Sequence, residues 1–281
     1  MVFAKVVILG PGLMGASVAQ AIKAKGLCKS IMAWSRRSET RTECARQPWC
    51  DAVEDSPEKA VKGADLVIVG TPVETIVSIV EQVVPELKSG AIVTDLGSTK
   101  SLICHGCAAR MPSEVSFIGS HPMAGSEKRG MAYADAKILE NQACFVTSLA
   151  DSDPSAVERI VSLWEALSMR VSIVSPEEHD TIVAHISHFP HVLASCVCRY
   201  LAEQEGDWRH LAGSGLRDVT RIAAGDPGLW QGIIEQNREE ILKALRGFRA
   251  SLDSFETALM ERDSTEVFNT LKIGQDYRQR L

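Results

Sequence analysis

The sequence predicts an α/β protein in which a doubly wound parallel sheet, over residues 1–175, is followed by an all-helical domain over residues 176–281. Three observations carry this. A β-branched apolar run, Lys5 to Leu9, meets the glycine-rich stretch GPGLMG and then a helical pattern. Short apolar runs alternate with helical patterns through the first half of the chain, the signature of parallel strands joined by crossover helices. From Pro176 onward the strand signal disappears.

Taken in order, Lys5 to Leu9 reads as the first strand, and the helix after the glycines runs to Lys25, with Gly26 as its stop signal. Ser30 to Trp34 reads as a second strand, Ala64 to Gly70 as a third, Pro72 to Leu87 as a helix, and Ala91 to Leu96 as a fourth strand. An apolar run from Val115 to Ile118 leads into GSHPMAGSEKRG, whose glycines and proline read as a shaped loop. Ala143 to Thr147 and Arg170 to Val174 read as last strands that complete the sheet. The second domain reads as helices over Glu178 to Glu203, Ser214 to Ala224, Gly228 to Arg262, and from Ser264 on. At roughly 150 residues per domain, 281 residues agree with two domains. Apolar helices without a sheet of their own bury that surface against a second copy, so a homodimer through the helical domain is expected.

Composition excludes several classes. Hydrophobic residues make up 45% and charged residues 23%, which excludes a disordered chain. A net charge of −6 with no basic block leaves no electrostatic footprint for nucleic acid. No run approaches the roughly 18 consecutive apolar residues of a membrane helix, and the Val6 to Leu9 run is too short for a signal-peptide core. A cytoplasmic protein is expected, with its eight scattered cysteines reduced.

Gly10, Gly12 and Gly15 form G-x-G-x-x-G between a strand and a helix, the context a dinucleotide fingerprint requires. The first glycine serves the tight turn, the second the approach of the pyrophosphate, the third the packing of helix on strand. Leu13 and Met14 in the same turn, and Thr71 and Pro72 after the third strand, are assigned to cofactor contacts. The second strand ends in Ser35, Arg36 and Arg37, where an NAD enzyme normally carries an acid for the ribose hydroxyls. A serine and two guanidiniums suit a 2′-phosphate instead, so NADP is favoured over NAD unless both arginines are solvated loop residues.

Hydride transfer from an alcohol needs a base for the hydroxyl proton. His121, in the GSHPMAG loop at the carboxyl ends of the strands, is the candidate. Ser98 in DLGSTK is placed to bond a substrate hydroxyl, to orient the imidazole, or simply to cap a helix. His179, His185, His188 and His191 crowd into thirteen residues, but without a nearby cysteine or H-E-x-x-H, and with Pro190 between two of them, substrate or interface contacts are the better reading and no metal is expected. Cys104 and Cys107 read as small buried thiols. Of Arg217 and Arg221, one helical turn apart, Arg221 beside Ile222 and Ala223 is the one expected to clamp a substrate carboxylate.

In that order, GPGLMG, DLGSTK, GSHPMAGSEKRG, HD before SHFPH, and GLRDVTRIA with DPGLW resemble the prephenate and arogenate dehydrogenases of tyrosine biosynthesis, from residue 3 to about residue 245. The resemblance implies a Rossmann-like domain, a helical dimerisation domain, and oxidation of the ring hydroxyl of prephenate with loss of carbon dioxide, giving 4-hydroxyphenylpyruvate. It implies that His121 accepts the hydroxyl proton, that Ser98 contacts that hydroxyl and the nicotinamide, that Arg221 binds substrate carboxylate, and that Ser187, His188 and His191 of the SHxPH string line the pocket. Glu127 and Asp218 match acids that gate the site across the dimer in some members. The SRR string resembles the NADP users of the family, and His191 favours prephenate over arogenate as substrate. With no appended regulatory domain or preceding mutase region expected, tyrosine feedback would act at the active site itself. A β-hydroxyacid dehydrogenase would share only the glycine fingerprint, and a non-catalytic nucleotide sensor would bind NADP without decarboxylating turnover, against which the intact His121, Ser98 and Arg221 set speaks.

Overall fold

The computed structural model describes residues 2–125, 128–204, 206 and 208–281. Its first lobe runs β1 (Phe3–Leu9), α1 (Leu13–Ala24), β2 (Cys28–Trp34), α2 (Ser38–Cys44), β3 (Ala52–Val53), α3 (Pro57–Val61), β4 (Leu66–Val69), α4 (Val73–Val83), β5 (Ile92–Asp95), α5 (Ser101–Ala108) and β6 (Ser116–Phe117). These six strands form one parallel sheet in the order β3-β2-β1-β4-β5-β6. Order reverses between β1 and β4, so a crevice opens there at the carboxyl ends of the strands. The central strands are continuous apolar runs because both faces are covered: Val6 and Ile8 pack on one side of β1, Val7 and Leu9 on the other.

The chain then continues through β7 (Gly119–Pro122), β8 (Ala143–Thr147), α6 (Pro154–Ala166) and β9 (Arg170–Val174). These strands do not complete the first sheet as the sequence pattern implies. They form a second sheet, β7-β8-β9, with β7 antiparallel and β9 parallel to β8. His121 therefore lies on a strand, paired with Phe145, and not in a loop. Glycine and proline disguise this strand; the β8 ladder supplies what local propensity lacks.

The helical lobe consists of α7 (Pro176–Val183), α8 (Phe189–Ala202), α9 (Ser214–Thr220), α10 (Pro227–Gln236), α11 (Arg238–Met260) and α12 (Ser264–Arg278). Two long helices read from the sequence are each interrupted. Between α7 and α8, Ala184–His188 form a π-turn, which leads into Pro190, a residue with no N–H to donate. Between α10 and α11, Asn237 leaves helical geometry at φ −110° and ψ 28°. The run Pro176–Ala202 is long and apolar enough to cross a membrane by length and composition alone, yet His179, Asp180, His188 and His191 are all buried within it.

Candidate active site

The first turn after β1 is built as the glycine spacing requires. Gly10 has φ +90°, and a Cβ on it would stand 2.8 Å from the Gly70 and Thr71 backbone. A Cβ on Gly15 would meet the Gly10 carbonyl oxygen at 2.5 Å, so α1 can sit this close to β1 only without a side chain. A Cβ on Gly12 would meet nothing within 4 Å, which leaves open space beside the first turn of α1. That turn, which includes Leu13, Met14 and Gly15, carries no acidic residue and no side-chain cap, so its N–H groups and dipole are available to an anion. Across the crevice, Thr71 Oγ1 is buried and without a partner, while Pro72 is exposed at the start of α4. An open cradle, free amides and an orphaned hydroxyl fit a dinucleotide pyrophosphate.

At the end of β2, Ser35 is half-buried and Arg36 and Arg37 are exposed. Arg41, which the sequence reading passed over, braces this loop by donating from Nη1 to the Ser35 carbonyl at 2.7 Å and the Arg36 carbonyl at 3.1 Å.

Beyond the crevice the loop after β5 meets β7. Asp95 is wholly buried and ties both together: Oδ2 accepts from Gly97 N at 2.8 Å and Lys100 Nζ at 2.5 Å, and Oδ1 accepts from Ser120 N at 3.1 Å. Burial pushes the Asp95 carboxyl up, and Lys100 opposes this. All of these contacts offer hydrogens, so the site houses a carboxylate. Ser98, half-buried, lies in the loop thus fixed. His121 follows Ser120 and is 7% exposed; burial holds its pKa well below 6.5, so the ring is neutral. Its Nδ1 lies 2.9 Å from His179 Nε2, and among the described residues its Nε2 has no hydrogen-bond partner. The chain after β7 returns to the fingerprint, where a Cβ on Gly125 would lie 3.5 Å from Met14 Sδ.

From the helical lobe, Asp180 reaches over to α5, its Oδ1 accepting from Lys100 N at 2.8 Å and its Oδ2 from Ser101 N at 2.9 Å. His179 Nδ1 lies 2.8 Å from Asp180 Oδ1. Asn237 donates from Nδ2 to the Asp180 carbonyl at 2.8 Å and to His188 Nδ1 at 3.1 Å, so the break in the helix serves the site. His188 is driven down to about 4, chiefly by burial, and is neutral. With Nδ1 accepting, its hydrogen is on Nε2, which is buried without a well-aligned partner near the Ser98 backbone. His191 stacks on Trp230 with centroids 3.6 Å apart and opens on a cavity of about 540 Å³; its Nδ1 is likewise buried and unpartnered. Ser187, one residue before His188, is half-buried in the π-turn, and His185 is exposed.

The structure thus gathers His121, the Ser98 loop and His188, and sets His191 behind His188 against Trp230. Among the described residues, Arg221 and Asp218 make no hydrogen bond or ion pair with them. Arg221 opens a short 3-10 turn, exposed as Arg217 is and without an ion pair among the described residues. Asp218 is exposed on α9, and Arg217 lines a cavity of about 650 Å³ beside Trp208. Glu127 lies outside the described residues. Its neighbour Arg129 pairs with Asp226, the N-cap of α10, and joins the loop after β7 to the helical lobe. His179 is expected from the sequence only as one of four crowded histidines for substrate or interface contacts, and Asp180, Asn237 and the Asp95–Lys100 pair are given no individual role there; the signal for them is a charge at the end of an apolar strand, AIVTD, and the HD pair at the start of a helix. Cys104 and Cys107 are buried thiols, and desolvation pushes Cys104 up to about 12.

Residues 18–173 match the family model described as prephenate dehydrogenase, nucleotide-binding domain, and residues 175–273 the model described as prephenate dehydrogenase, dimerization domain. The prephenate dehydrogenase of Bacillus subtilis is 33% identical over 98% of this chain and 76% of its own length. The cyclohexadienyl dehydrogenase of Zymomonas mobilis is 31% identical over 100% of this chain and 97% of its own. Among solved structures, the prephenate dehydrogenase of A. aeolicus in complex with hydroxyphenyl propionate and NAD+ superposes with a TM-score of 0.94 at 28% identity, covering 100% of this chain and 99% of that one. With the glycine crevice, the neutral buried histidine and both lobes accounted for, this chain belongs to the prephenate dehydrogenase family.

Proposed function

We propose that the protein oxidises prephenate to 4-hydroxyphenylpyruvate and carbon dioxide with NADP as the oxidant, with His121 as the base. The observation that carries this is His121 itself: a neutral imidazole at the carboxyl end of the sheet, beside the cofactor crevice, with Nε2 unengaged among the described residues. NADP held by the glycine cradle would supply the acceptor for the hydride on the ring carbon that bears the hydroxyl. His121 Nε2 takes the hydroxyl proton, and Ser98 holds the hydroxyl against it. The bond to the ring carboxylate breaks, carbon dioxide leaves, its electron pair makes the ring aromatic, and the ring oxygen takes its proton back from His121, so the protein's main task is orientation. His188 offers Nε2–H to a substrate oxygen, with Ser187 and His191 completing the wall. Arg221, and the acids Glu127 and Asp218, act from the helical lobe and the following loop, Arg221 on a substrate carboxylate and the acids as gates.

Gly10, Gly12, Leu13, Met14, Gly15, Thr71 and Pro72 hold the dinucleotide. Ser35, Arg36 and Arg37 select the 2′-phosphate, because no carboxylate at the end of β2 would repel it. The lobes divide near residue 175. A homodimer forms through α11 and α12, where Leu259, Phe268, Leu271 and Tyr277 are exposed and α12 buries no residue of its own. The enzyme works in the cytoplasm.

Cofactor reduction is measured with prephenate and arogenate side by side, each with NADP and NAD. Faster turnover of prephenate with NADP is expected. No reduction with either substrate would refute the reaction, NAD preference would refute the role of Arg36 and Arg37, and arogenate preference would move the assignment to the arogenate branch of the family. A monomeric mass in light scattering would remove the dimer.

A further inference from the structure

We propose that His179 and Asp180 are positioning residues that decide which nitrogen of His121 is free to take a proton. The inference rests on His121 being the base. Burial pushes the Asp180 carboxyl up, and the backbone bonds from Ser101 and Lys100 together with the Lys100 charge oppose this and hold it as a carboxylate. Lys100 N at 2.8 Å and Ser101 N at 2.9 Å are backbone donors, one on each oxygen. The third contact, His179 Nδ1 at 2.8 Å from Oδ1, must also be a donor to a carboxylate. Burial drives His179 down to about 2, so the ring is neutral and has a single hydrogen, already committed at Nδ1. Its Nε2 is therefore a lone pair.

That lone pair stands 2.9 Å from His121 Nδ1, a distance at which two lone pairs would repel, so His121 Nδ1 carries a hydrogen and donates it. His121 is neutral as well, which leaves Nε2 bare. The planes are held by edge contacts: the His121 and His179 rings meet at 63° with centroids 5.1 Å apart, and Phe145 meets His179 at 89° and 5.1 Å. Asn237 anchors the Asp180 backbone from the helix break. The relay thus runs from the helical lobe to the base: Asp180 accepts from His179, and His179 from His121. When His121 Nε2 receives the substrate proton, the Nδ1–H bond to His179 strengthens and the new charge faces the Asp180 carboxylate, with no second proton moving. The other groups around this pair are Lys100, compensated by Asp95, and neutral His188.

The test has a spectroscopic and a kinetic arm. Protein labelled with ¹⁵N-histidine is studied by NMR, with the His121 signals assigned from their loss in His121→Asn. The expected result is a neutral His121 with its hydrogen on Nδ1; a hydrogen on Nε2 in the unsubstituted protein overturns the proposal, whether or not any variant folds. In the kinetic arm, His179→Phe keeps a flat ring but offers no acceptor, and kcat for prephenate is expected to fall between about 10-fold and about 10⁴-fold while KM changes less than about 3-fold. His179→Gln, whose amide oxygen can still accept from His121, is expected to recover part of the loss. A His179→Phe enzyme with undiminished kcat, beside an inactive His121→Asn enzyme, would refute the relay and leave the base in place. An active His121→Asn enzyme would refute the base itself.

Discussion

Replacing Lys100 by methionine isolates the buried pair on which the base of the site rests. Lys100 and Asp95 are both fully buried, and Lys100 Nζ supplies the 2.5 Å contact to Asp95 Oδ2. Methionine keeps the stem and removes the charge, leaving Asp95 with only the Gly97 and Ser120 amides. Removing one partner of a buried pair costs about 3–5 kcal/mol, because the survivor stays desolvated and uncompensated. At about 2–3 °C per kcal/mol for a chain of this size, the midpoint of thermal unfolding should drop by roughly 6–15 °C at neutral pH. The sign with pH follows from Asp95. Burial already pushes its carboxyl up and Lys100 is the chief opposing influence, so the variant's folded state binds a proton that the unfolded chain releases above the ordinary value of 3.8. Stability of the variant relative to the parent must therefore fall as pH rises through that window, and the deficit should nearly vanish at about pH 4. Calorimetry or urea unfolding at about pH 4.5 and about pH 8 reads both effects. A second variant, Asp95→Leu with Lys100→Met, should regain a good part of the loss, since two apolar groups can replace a buried pair at little cost. A pH-independent deficit below about 1 kcal/mol in the single variant would show that the pair is not desolvated as the structure has it.

Three further outcomes can be checked. Gly12→Ala should leave thermal stability within about 0.5 kcal/mol but raise the KM for the dinucleotide, whereas Gly15→Ala, with its Cβ 2.5 Å from the Gly10 carbonyl, should lose about 1–3 kcal/mol in urea unfolding; the reverse pattern would contradict the open cradle at Gly12. Because burial lowers the pKa of His121, the acid limb of the kcat/KM profile should lie well below pH 6.5, and because His121, His179 and His188 are all buried neutral, the unfolded chain takes up protons the folded one refuses, so stability should fall as pH drops below 6.5. A His121 limb of kcat/KM at or above pH 6.5 would contradict this environment. Asn237→Ala removes the donor to Asp180 O and His188 Nδ1 and should cost about 1–3 kcal/mol, read by thermal unfolding, with a loss of kcat that Asn237→Asp does not restore, since a carboxylate cannot donate there.

Local chemistry was legible where neighbours in sequence are neighbours in space. Gly10, Gly12 and Gly15 act within one turn, and each glycine meets, or avoids, the atoms its spacing implies. His121 stood out because glycines and a proline around a histidine are poor core material. What lay beyond reach is long-range. His121 and His179 are 58 positions apart, and Lys100 and Asp180 are 80 apart; no local pattern signals such contacts. The second sheet was hidden for the same reason, since β7 is a strand only because β8 pairs with it. Asn237 escaped notice because apolar spacing continues through it and asparagine is only a mild helix breaker. Arg221 is a different case: it is exposed in the single chain, on a lobe whose helices also expose Leu259, Phe268, Leu271 and Tyr277, so its apolar neighbours in sequence did not mark a buried position.

The wide turn at Ala184–His188 gives the helical lobe a property that substitution tables do not capture. A π-turn amounts to one surplus residue in a helix, and each residue of an α-helix advances the azimuth by about 100°. Because the wide turn absorbs that surplus residue, α8 keeps nearly the azimuth it would have without it; tightening the turn to α-helical geometry with all five residues kept would instead swing everything downstream by up to about 100° around the axis. His191 would then leave the face of Trp230 while remaining in an intact, well-formed helix. A chain with the same residues here but wound as an ordinary helix would therefore present a different face of α8 to the pocket, so the winding of this one turn, and not the residues alone, sets what His191 faces.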